Sequence, residues 1–261
     1  MAKISDVIRV IESFAPLSLQ EKWDNCGLCT GDPQAELTGV LVGFDCTEEL
    51  IDEAVETGAN LVVTHHPLIF NALKRIDGSD AVGAALIKAI RCSVAVYASH
   101  TASDKTPGGV SWLIAHRLGL ENVSVLDADC EDGTTGLGII GDFKVALDAR
   151  QALSLVKETF SLPVVRHSRP VEGMITRVAA CGGSGGSLIA KAREAGAQLY
   201  LCGDISYHNF FTPEGFMLMD IGHYESEIDI VSILFSLIKK NFPTFAVRIA
   251  QKSNNNPVFY F

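Results

Sequence analysis

The hydrophobic positions along the chain change repeatedly between a strand pattern and a helix pattern. Runs of consecutive apolar residues, such as Leu61–Thr64, have the length and composition of strands that are buried on both faces. Elsewhere, apolar residues recur at helical spacing, as Ile4, Val7 and Ile11 do near the N-terminus. Strands that alternate with helices predict parallel βαβ units, and therefore an α/β fold.

Capping residues set the limits of several elements. Thr47 fits a helix N-cap, and Gly58 and Gly119 fit the ends of helices. The predicted helices lie within 1–19, over 47–58, 110–118, 149–160 and 188–196, and from 223–226 to just before Pro243. The predicted strands cover 40–44, 61–64, 93–98, 136–142, 178–181, 199–202, 216–221 and 245–250.

The chain contains an internal repeat. Leu50–Leu61 aligns with Leu188–Leu199 without a gap, and seven of the 12 positions are identical. Any two amphipathic helices that end in glycine share some of this pattern, but the flanking strands also match. We therefore expect two related α/β lobes with mostly parallel sheets flanked by helices. The first lobe is predicted over 1–127 and the second over 128–222, with a helix and a strand in 223–261 returning to the first lobe.

Composition and charge limit the class of protein. The 261 residues are 48% hydrophobic, which is typical of a globular chain with a sizeable core. No apolar run is long enough to cross a membrane, since the longest, around 230–238, contains two serines. A net charge of −10 disfavours binding to long nucleic acid. Binding of a single nucleotide stays open, because a bound metal ion can invert the local field.

The seven cysteines predict a protein with reduced thiols. Their number is odd, they are scattered, and charged residues interrupt the first 19 positions, so that segment does not resemble a signal peptide. These features indicate a cytoplasmic location. Cys26 and Cys29 form one CxxC motif, and the second pair that a structural zinc site needs is absent. We interpret both as small loop residues, with a redox role as the alternative.

Side chains that commonly bind metals follow three of the predicted strands. His65 and His66 come directly after one strand, and His223 comes after another. His100 and Asp104 follow a third. In open parallel sheets, ligands bind in the crevice at the carboxyl ends of the strands. The sequence therefore predicts a metal site in the cleft at this end.

The spacing of these residues favours two metal ions. Glu227 follows His223 by four residues, so both lie on one face if the helix begins by His223. Adjacent His65 and His66 would point apart on a regular strand, but from a strand end or turn they can bind two neighbouring ions. With Glu227 or Asp104 as a bridge, such ions lie roughly 3.5–4 Å apart and activate water. Nitrogen and oxygen donors suit zinc, iron, manganese, cobalt or nickel.

Other interpretations of these residues stay open. His100 fits a metal ligand, an acid or base beside the metals, or a group that orients a ligand. Taken alone, His223 and Glu227 fit a helix cap and a first-turn acid, and Asp104 fits a turn residue. Gly182–Gly186 precedes a predicted helix and fits a tight turn, with phosphate binding as the alternative. The histidines and carboxylates share a position near strand ends, and this shared position favours metal binding over the other interpretations.

Several short motifs, in order along nearly the whole chain, resemble those of a known family. They are WDNCGL at 23–28, THHP at 64–67, HTASD at 100–104, GGSG at 182–185, GD at 203–204 and GHYESE at 222–227. The chain resembles the GTP cyclohydrolase 1 type 2 homologs, also called NIF-three-like proteins, in their short form without an inserted domain. It departs from them at Ala102, where the family often has asparagine, which affects hydrogen bonding near Asp104 and leaves the ligands intact.

The resemblance implies two related α/β lobes, a dinuclear metal site and a toroidal homohexamer with the metal sites facing an inner cavity. The positions that match the family's metal ligands are His65, His66, Asp104, His223 and Glu227.

Three functions are compatible with these features. The first is a metal-dependent hydrolase acting on a nucleotide or a related small molecule, with His100 as the proton-transfer group; a purine nucleotide is the family's suggestion for the substrate. The alternative is a non-catalytic metal-binding ring that recruits a partner protein or buffers metal. In the third, Gly182–Gly186 binds a nucleotide as a regulatory ligand.

Overall fold

The computed structural model describes residues 1–261 as an α/β protein with two sheets flanked by helices. The helices are α1 (Ile4–Phe14), α2 (Glu48–Thr57), α3 (Ala81–Arg91), α4 (Thr101–Lys105), α5 (Val110–Leu118), α6 (Ala149–Thr159), α7 (Ile189–Glu194), α8 (His223–Glu227) and α9 (Ile230–Asn241). The strands are β1 (Gly27–Thr30), β2 (Val40–Val42), β3 (Leu61–Thr64), β4 (Ala95–Ala98), β5 (Leu120–Ala128), β6 (Gly136–Asp148), β7 (Arg166–His167), β8 (Met174–Ser184), β9 (Leu199–Gly203), β10 (Met217–Asp220) and β11 (Val247–Ile249). None of the helices combines the length and the apolar composition needed to span a membrane.

The chain divides into two compact units. The first contains Met1–Ser103 and Ile230–Phe259, and the second contains Asp104–Asp229 and Tyr260–Phe261. This division differs from the sequence-based limits of 127 and 222, which were drawn from the repeat. It differs because β5 pairs within the second sheet and α8 packs on β8.

The first unit contains a five-stranded sheet in the order β1-β4-β3-β2-β11. All neighbouring strands are parallel except β1, which runs antiparallel to β4. Helices α2 and α3 pack on this sheet through a buried core that includes Ile51, Val62 and Leu86. Thr47 caps α2 by accepting a hydrogen bond from the Leu50 backbone N–H at 3.3 Å, as the sequence predicted.

The second unit contains a six-stranded sheet in the order β5-β6-β8-β9-β10-β7. Only β8, β9 and β10 are mutually parallel, so this sheet is mixed, because β5, β6 and β7 run antiparallel to their neighbours. Both faces are buried. Val178 and Leu199 pack into the core that contains residues of α5 and α6, whereas Ala179 and Tyr200 pack into a second core on the opposite face.

The internal repeat is visible in the strand register. Val40 pairs in parallel with Leu61, and Val178 pairs in parallel with Leu199, which are the positions that the sequence alignment equates. The glycine that follows each intervening helix has a positive φ, of 72° in the first copy and 80° in the second. The two βαβ units therefore share both their register and the way their helices end.

One predicted helix is divided into two. The segment after β10 forms α8 and then α9, which begins at Ile230. At the break, Asp229 accepts a hydrogen bond from Arg117 at 2.8 Å. Helix α3, which the sequence analysis did not predict, has Asp80 as its N-cap, and the Asp80 carboxylate accepts from the Gly83 backbone N–H at 2.7 Å.

Candidate metal centre

In the first unit, polar side chains collect at one edge of the sheet. Strands β2, β3 and β4 are parallel neighbours, so their carboxyl ends lie at the same edge. Asp45 follows β2, His65 and His66 follow β3, and His100 follows β4. This agrees with the general position of ligand sites in parallel sheets.

Three of these side chains form a histidine cluster. One ring nitrogen from each of His65, His66 and His100 lies within 4.8 Å of the other two. The His65 and His66 ring centroids are 4.9 Å apart, and each is 5.3 Å from that of His100. Strand β3 ends at Thr64, and the backbone bends at the two histidines. The bend removes the strand alternation that would point adjacent side chains apart, so both rings belong to one cluster.

An oxygen atom holds the Nδ1 atom of each ring in this cluster. His66 Nδ1 lies 2.7 Å from Oδ1 of Asp45, and His100 Nδ1 lies 2.8 Å from Oδ1 of Asp24. His65 Nδ1 lies 3.3 Å from the backbone oxygen of Ser99. Carboxylates and carbonyls only accept, so Nδ1 is the donor, and in a neutral ring Nε2 then carries the lone pair. Histidines that bind metals are oriented in this way.

Asp24 is kept in its anionic form. Burial by itself raises the pKa of this carboxyl, but hydrogen bonds from His100 and Thr101 outweigh burial and hold the pKa well below its usual value. The Asp24 side chain is fully buried and also accepts from the Thr101 backbone N–H at 3.0 Å. A carboxylate with a lowered pKa therefore accepts the hydrogen bond that orients the His100 ring.

In the second unit, α8 carries a histidine and a carboxylate on one face. His223 Nε2 lies 3.0 Å from Oε2 of Glu227, and the Nδ1 atom of His223 lies 2.7 Å from Oδ2 of Asp204. Asp204 thus has the same relation to His223 that Asp45 has to His66. The Nε2 atom of His223 and the Glu227 carboxylate are close enough together for one metal ion to be held by both.

Asp104 belongs to the same group of side chains in the second unit. One of its carboxylate oxygens lies within 4.8 Å of a carboxylate oxygen of Glu227. The Glu227 side chain is only 4% exposed, and buried carboxylates are normally paired with a cation or with hydrogen-bond donors.

Glycines allow α8 to approach the second sheet closely. A β-carbon on Gly183 would lie 2.3 Å from Oε1 of Glu227, and the backbone there has a φ of +59°. A β-carbon on Gly203 would lie 2.8 Å from the backbone of His223. The Gly183 N–H also donates to Oγ of Ser226 at 2.9 Å. Gly182 and Gly183 belong to the end of β8 and not to the tight turn that the sequence suggested, and they make room for α8.

The CxxC cysteines are free thiols. The Sγ atom of Cys26 donates to Oδ2 of Asp24 at 3.1 Å, and burial raises the pKa of Cys26 to about 12. Cys29 lies in β1 and packs against the core of the first unit, so its interpretation as a loop residue was wrong. A protonated Cys26 is a poor metal ligand and a poor nucleophile, which agrees with its interpretation as a small loop residue.

The structure thus brings the predicted residues together in two groups. The first unit groups His65, His66 and His100, and the second groups Asp104, His223 and Glu227. Sequence reasoning gave no role to Asp24, Asp45 or Asp204. Asp45 and Asp204 follow the ends of β2 and β9, so the strand-end rule could have found them. Asp24 precedes β1, and its signal in the sequence was its place in the WDNCGL motif of the family resemblance.

The fold and these groups define an α/β protein with histidine and carboxylate side chains suited to a metal ion. The chain belongs to the Duf34/NIF3 (NGG1p interacting factor 3) family, whose model matches residues 2–257.

Its relatives include two curated GTP cyclohydrolase 1 type 2 homologs. The one from Clostridium perfringens is 30% identical over 257 residues, which cover 98% of each chain. The one from Lactococcus lactis is 36% identical over 227 residues, or 85% of this chain and 86% of the relative. Among solved structures, a hypothetical protein of Staphylococcus aureus superposes with a TM-score of 0.89 at 28% identity, covering 99% of both chains.

Proposed function

We propose that this protein binds two divalent metal ions through His65, His66, Asp104, His223 and Glu227 and acts as a metal-dependent hydrolase on a nucleotide or a related small molecule. One observation carries the proposal. In both units, the Nδ1 atoms of candidate ligand histidines are held by oxygen acceptors, which fixes the orientation of the rings and leaves Nε2 as the nitrogen that would face a metal ion.

The donor set fits zinc, iron, manganese, cobalt or nickel. It combines imidazole nitrogens with carboxylate oxygens and contains no sulfur. The glycine at 183 leaves the space that the Glu227 carboxylate occupies. Ions held by these residues would supply Lewis-acid chemistry, which polarises a substrate oxygen and lowers the pKa of bound water.

His100 is our proposed proton-transfer group. Its Nδ1 atom donates to the buried, anionic Asp24, so Nε2 is the nitrogen that exchanges a proton with the substrate. Asp24 also stabilises the ring when it becomes positively charged. The pair is therefore arranged to accept a proton and to return it in a later step.

The first experiment is the metal content of the purified native protein, measured by elemental mass spectrometry beside His66→Ala and Glu227→Ala. We expect about two transition-metal ions per native chain and fewer in both variants. His116→Ala, which changes a histidine of α5 outside both groups, is the matched control and should keep the native content. A native protein that stays metal-free after reloading would contradict the metal proposal.

The second experiment separates a hydrolase from a non-catalytic metal protein. The metal-loaded protein is screened against nucleotides and phosphoesters, and turnover should disappear in Glu227→Ala. In His100→Ala, turnover should fall at least about 100-fold while the metal content stays native. A fully loaded protein without turnover on the whole panel would instead favour the partner-recruiting or metal-buffering function.

The proposal also includes a toroidal homohexamer, which rests on the family resemblance. Light scattering on the eluting protein should give six times the chain mass of 28.0 kDa. A monomer or dimer at micromolar concentration would rule out this part of the proposal and leave the metal chemistry to be judged separately.

A further inference from the structure

Two large aromatic side chains lie exposed beside the histidine cluster. Trp23 is 58% exposed and Phe70 is 47% exposed. Their ring centroids are 5.8 Å apart at an angle of 55°, and each ring lies 6.1 Å from the His100 ring, nearly edge-on. We call Trp23 and Phe70 the aromatic pair. Exposed apolar rings next to polar groups of this kind are characteristic of ligand sites.

The residues next to the aromatic pair are fixed by hydrogen bonds. Asp24, which follows Trp23, is buried and bound to His100 and Thr101. Asn25 donates from Nδ2 to the backbone oxygen of Ile69, the neighbour of Phe70, at 2.7 Å. The segments that carry the two rings are thus connected to each other and to His100. The rings are held in an exposed position close to the cluster, which is the arrangement that a preformed binding surface requires.

Basic side chains lie near the aromatic pair in sequence, among the acidic residues Glu21, Asp24 and Asp77, although the whole chain carries −10. Lys22 precedes Trp23, and Lys74 and Arg75 follow Phe70 in the same irregular segment before α3. All three basic residues are exposed. Most of this acidic chain would repel an anionic ligand, whereas these three positive side chains would attract it locally.

We propose that the aromatic pair binds the planar heteroaromatic ring of an anionic substrate. This inference rests on the proposed function, because it names the class of substrate for the same metal centre. The Trp23 indole, on which such a ring would stack, lies 6.1 Å from the His100 ring, and the His100 ring lies 5.3 Å from those of His65 and His66. A ring atom or its substituent could then reach the histidine cluster.

The test uses the fluorescence of Trp23. The chain has two tryptophans, and Trp112 is partly buried in the core of the second unit, so Trp112→Phe leaves Trp23 as the single reporter. This metal-loaded variant is titrated with adenosine 5′-monophosphate, uridine 5′-monophosphate and nicotinate, and with ribose 5-phosphate as the anion without a ring. We expect saturable quenching by at least one ring compound and none by ribose 5-phosphate. Quenching by none of the three ring compounds overturns the inference.

Binding to the aromatic pair is then measured by calorimetry in otherwise native protein. Trp23→Leu and Phe70→Leu should each weaken the best ring probe about tenfold, as expected for the loss of one stacking contact. Phe211→Leu removes an aromatic side chain that is 74% exposed in the second unit, and it should leave the affinity unchanged. Equal affinity in all four proteins would show that the probe binds elsewhere and would overturn the inference.

Metal content and assembly mass, measured on the same samples, separate this inference from the proposed function. If the protein has its native metal content but binds no ring compound, the aromatic subsite is contradicted and the metal proposal stands. If the protein contains no metal but binds a ring compound in a way that depends on Trp23, the metal proposal is contradicted and the aromatic subsite stands. If the rings do not bind and Trp23→Leu alone lowers the assembly mass, the aromatic pair is instead a contact between copies of the chain.

Discussion

Three aspartates accept hydrogen bonds from the Nδ1 atoms of histidines at the candidate metal centre. Asp45 holds His66 in the first unit, and Asp204 holds His223 in the second. The third, Asp24, holds His100. Such carboxylates fix the tautomer and make Nε2 more basic. Their effect on metal binding can be tested without touching a ligand.

Asp204→Asn should lower the metal affinity about 10–100-fold, because it removes the charge that orients His223. The backbone of Asp204 has a φ of 53°, a conformation that asparagine also adopts readily, so the substitution tests charge rather than backbone strain. The measurement is a competition titration with a chromophoric chelator. Asp127→Asn, which removes the partner of Lys191 in the same unit, is the control. Equal affinity in both variants would exclude an orienting role for Asp204.

Gly183→Ala should reduce the metal content while the protein stays folded. The new methyl group would lie 2.3 Å from Oε1 of Glu227, so the carboxylate must move. An alanine at positive φ adds a backbone cost of about 1–2 kcal/mol. Gly186→Ala is the matched control, since its β-carbon would meet only Asn209 at an ordinary 3.6 Å. Native metal content in Gly183→Ala, with an unfolding curve like that of the control, would contradict this prediction.

At this scale, the sequence contained most of the candidate donors but not their supporting groups. His65, His66 and His223 were recognisable because they follow buried strands, and the four-residue spacing from His223 to Glu227 produces the 3.0 Å contact. The position of Asp24 depends on a turn before β1, which no local pattern predicts. The positions of strand ends do not predict a long-range pairing such as that of Asp24 with His100.

At the scale of elements, α2 also holds the C-terminal segment. Glu53, buried in α2, accepts hydrogen bonds from the backbone N–H groups of Gln251, Lys252 and Ser253 at 2.6, 3.1 and 3.3 Å. The Ser253 hydroxyl donates to the same carboxylate at 2.8 Å. One side chain therefore satisfies three successive backbone donors after β11.

Glu53→Gln should destabilise the protein by about 1–3 kcal/mol, because the amide cannot accept all of these bonds. Burial alone would raise the pKa of Glu53, but these bonds lower it below its ordinary 4.5. The stabilisation is therefore complete above pH 4.5 and is lost as the pH falls through the lowered pKa. Urea unfolding at several pH values should show a native-to-variant difference that shrinks in acid.

Glu56→Gln provides the comparison for this experiment. Glu56 is in the same helix but is 58% exposed and pairs with Lys252 at the surface. Its replacement should cost less than about 1 kcal/mol. If the two variants lose the same stability at neutral pH, the hydrogen bonds of Glu53 do not hold the C-terminal segment.

The elements that the sequence predicted best have clear local signals. The limits of α5 and β3 agree with the prediction, and α2 has the expected cap and terminal glycine. The break between α8 and α9 was missed, because the two residues at the break, Ile228 and Asp229, include no glycine or proline that would mark the end of a helix. Strand β5 was missed because it is an edge strand with few buried positions, so its hydrophobic pattern is weak.

At the scale of the whole molecule, the sequence predicted the α/β class and the repeat, and both are observed. The antiparallel strands of the second sheet were not expected, because the βαβ pattern describes only β8 to β10. The alternation of strands and helices is a local property, whereas the direction in which an added strand pairs depends on the path of the whole chain.

Metal binding should stabilise the whole molecule against heat. A metal ion at 100 times its dissociation constant adds about 2.7 kcal/mol, and for chains of this size each kcal/mol raises Tm by about 2–4 °C. Differential scanning fluorimetry should therefore show Tm several degrees higher in the loaded protein than after chelation. Glu227→Ala should lose most of this difference in Tm. If the Tm of the native protein is the same with and without metal, a specific metal site is contradicted.

The close approach of Gly183 to Glu227 also restricts how this protein can evolve. Any side chain at 183 would overlap the carboxylate, whose Oε1 lies 2.3 Å from the position of a β-carbon. A larger residue at 183 is therefore tolerable only with a shorter one at 227, such as aspartate, which withdraws the carboxylate by one methylene. The two positions, separated by 44 residues along the chain, should accordingly change together or not at all.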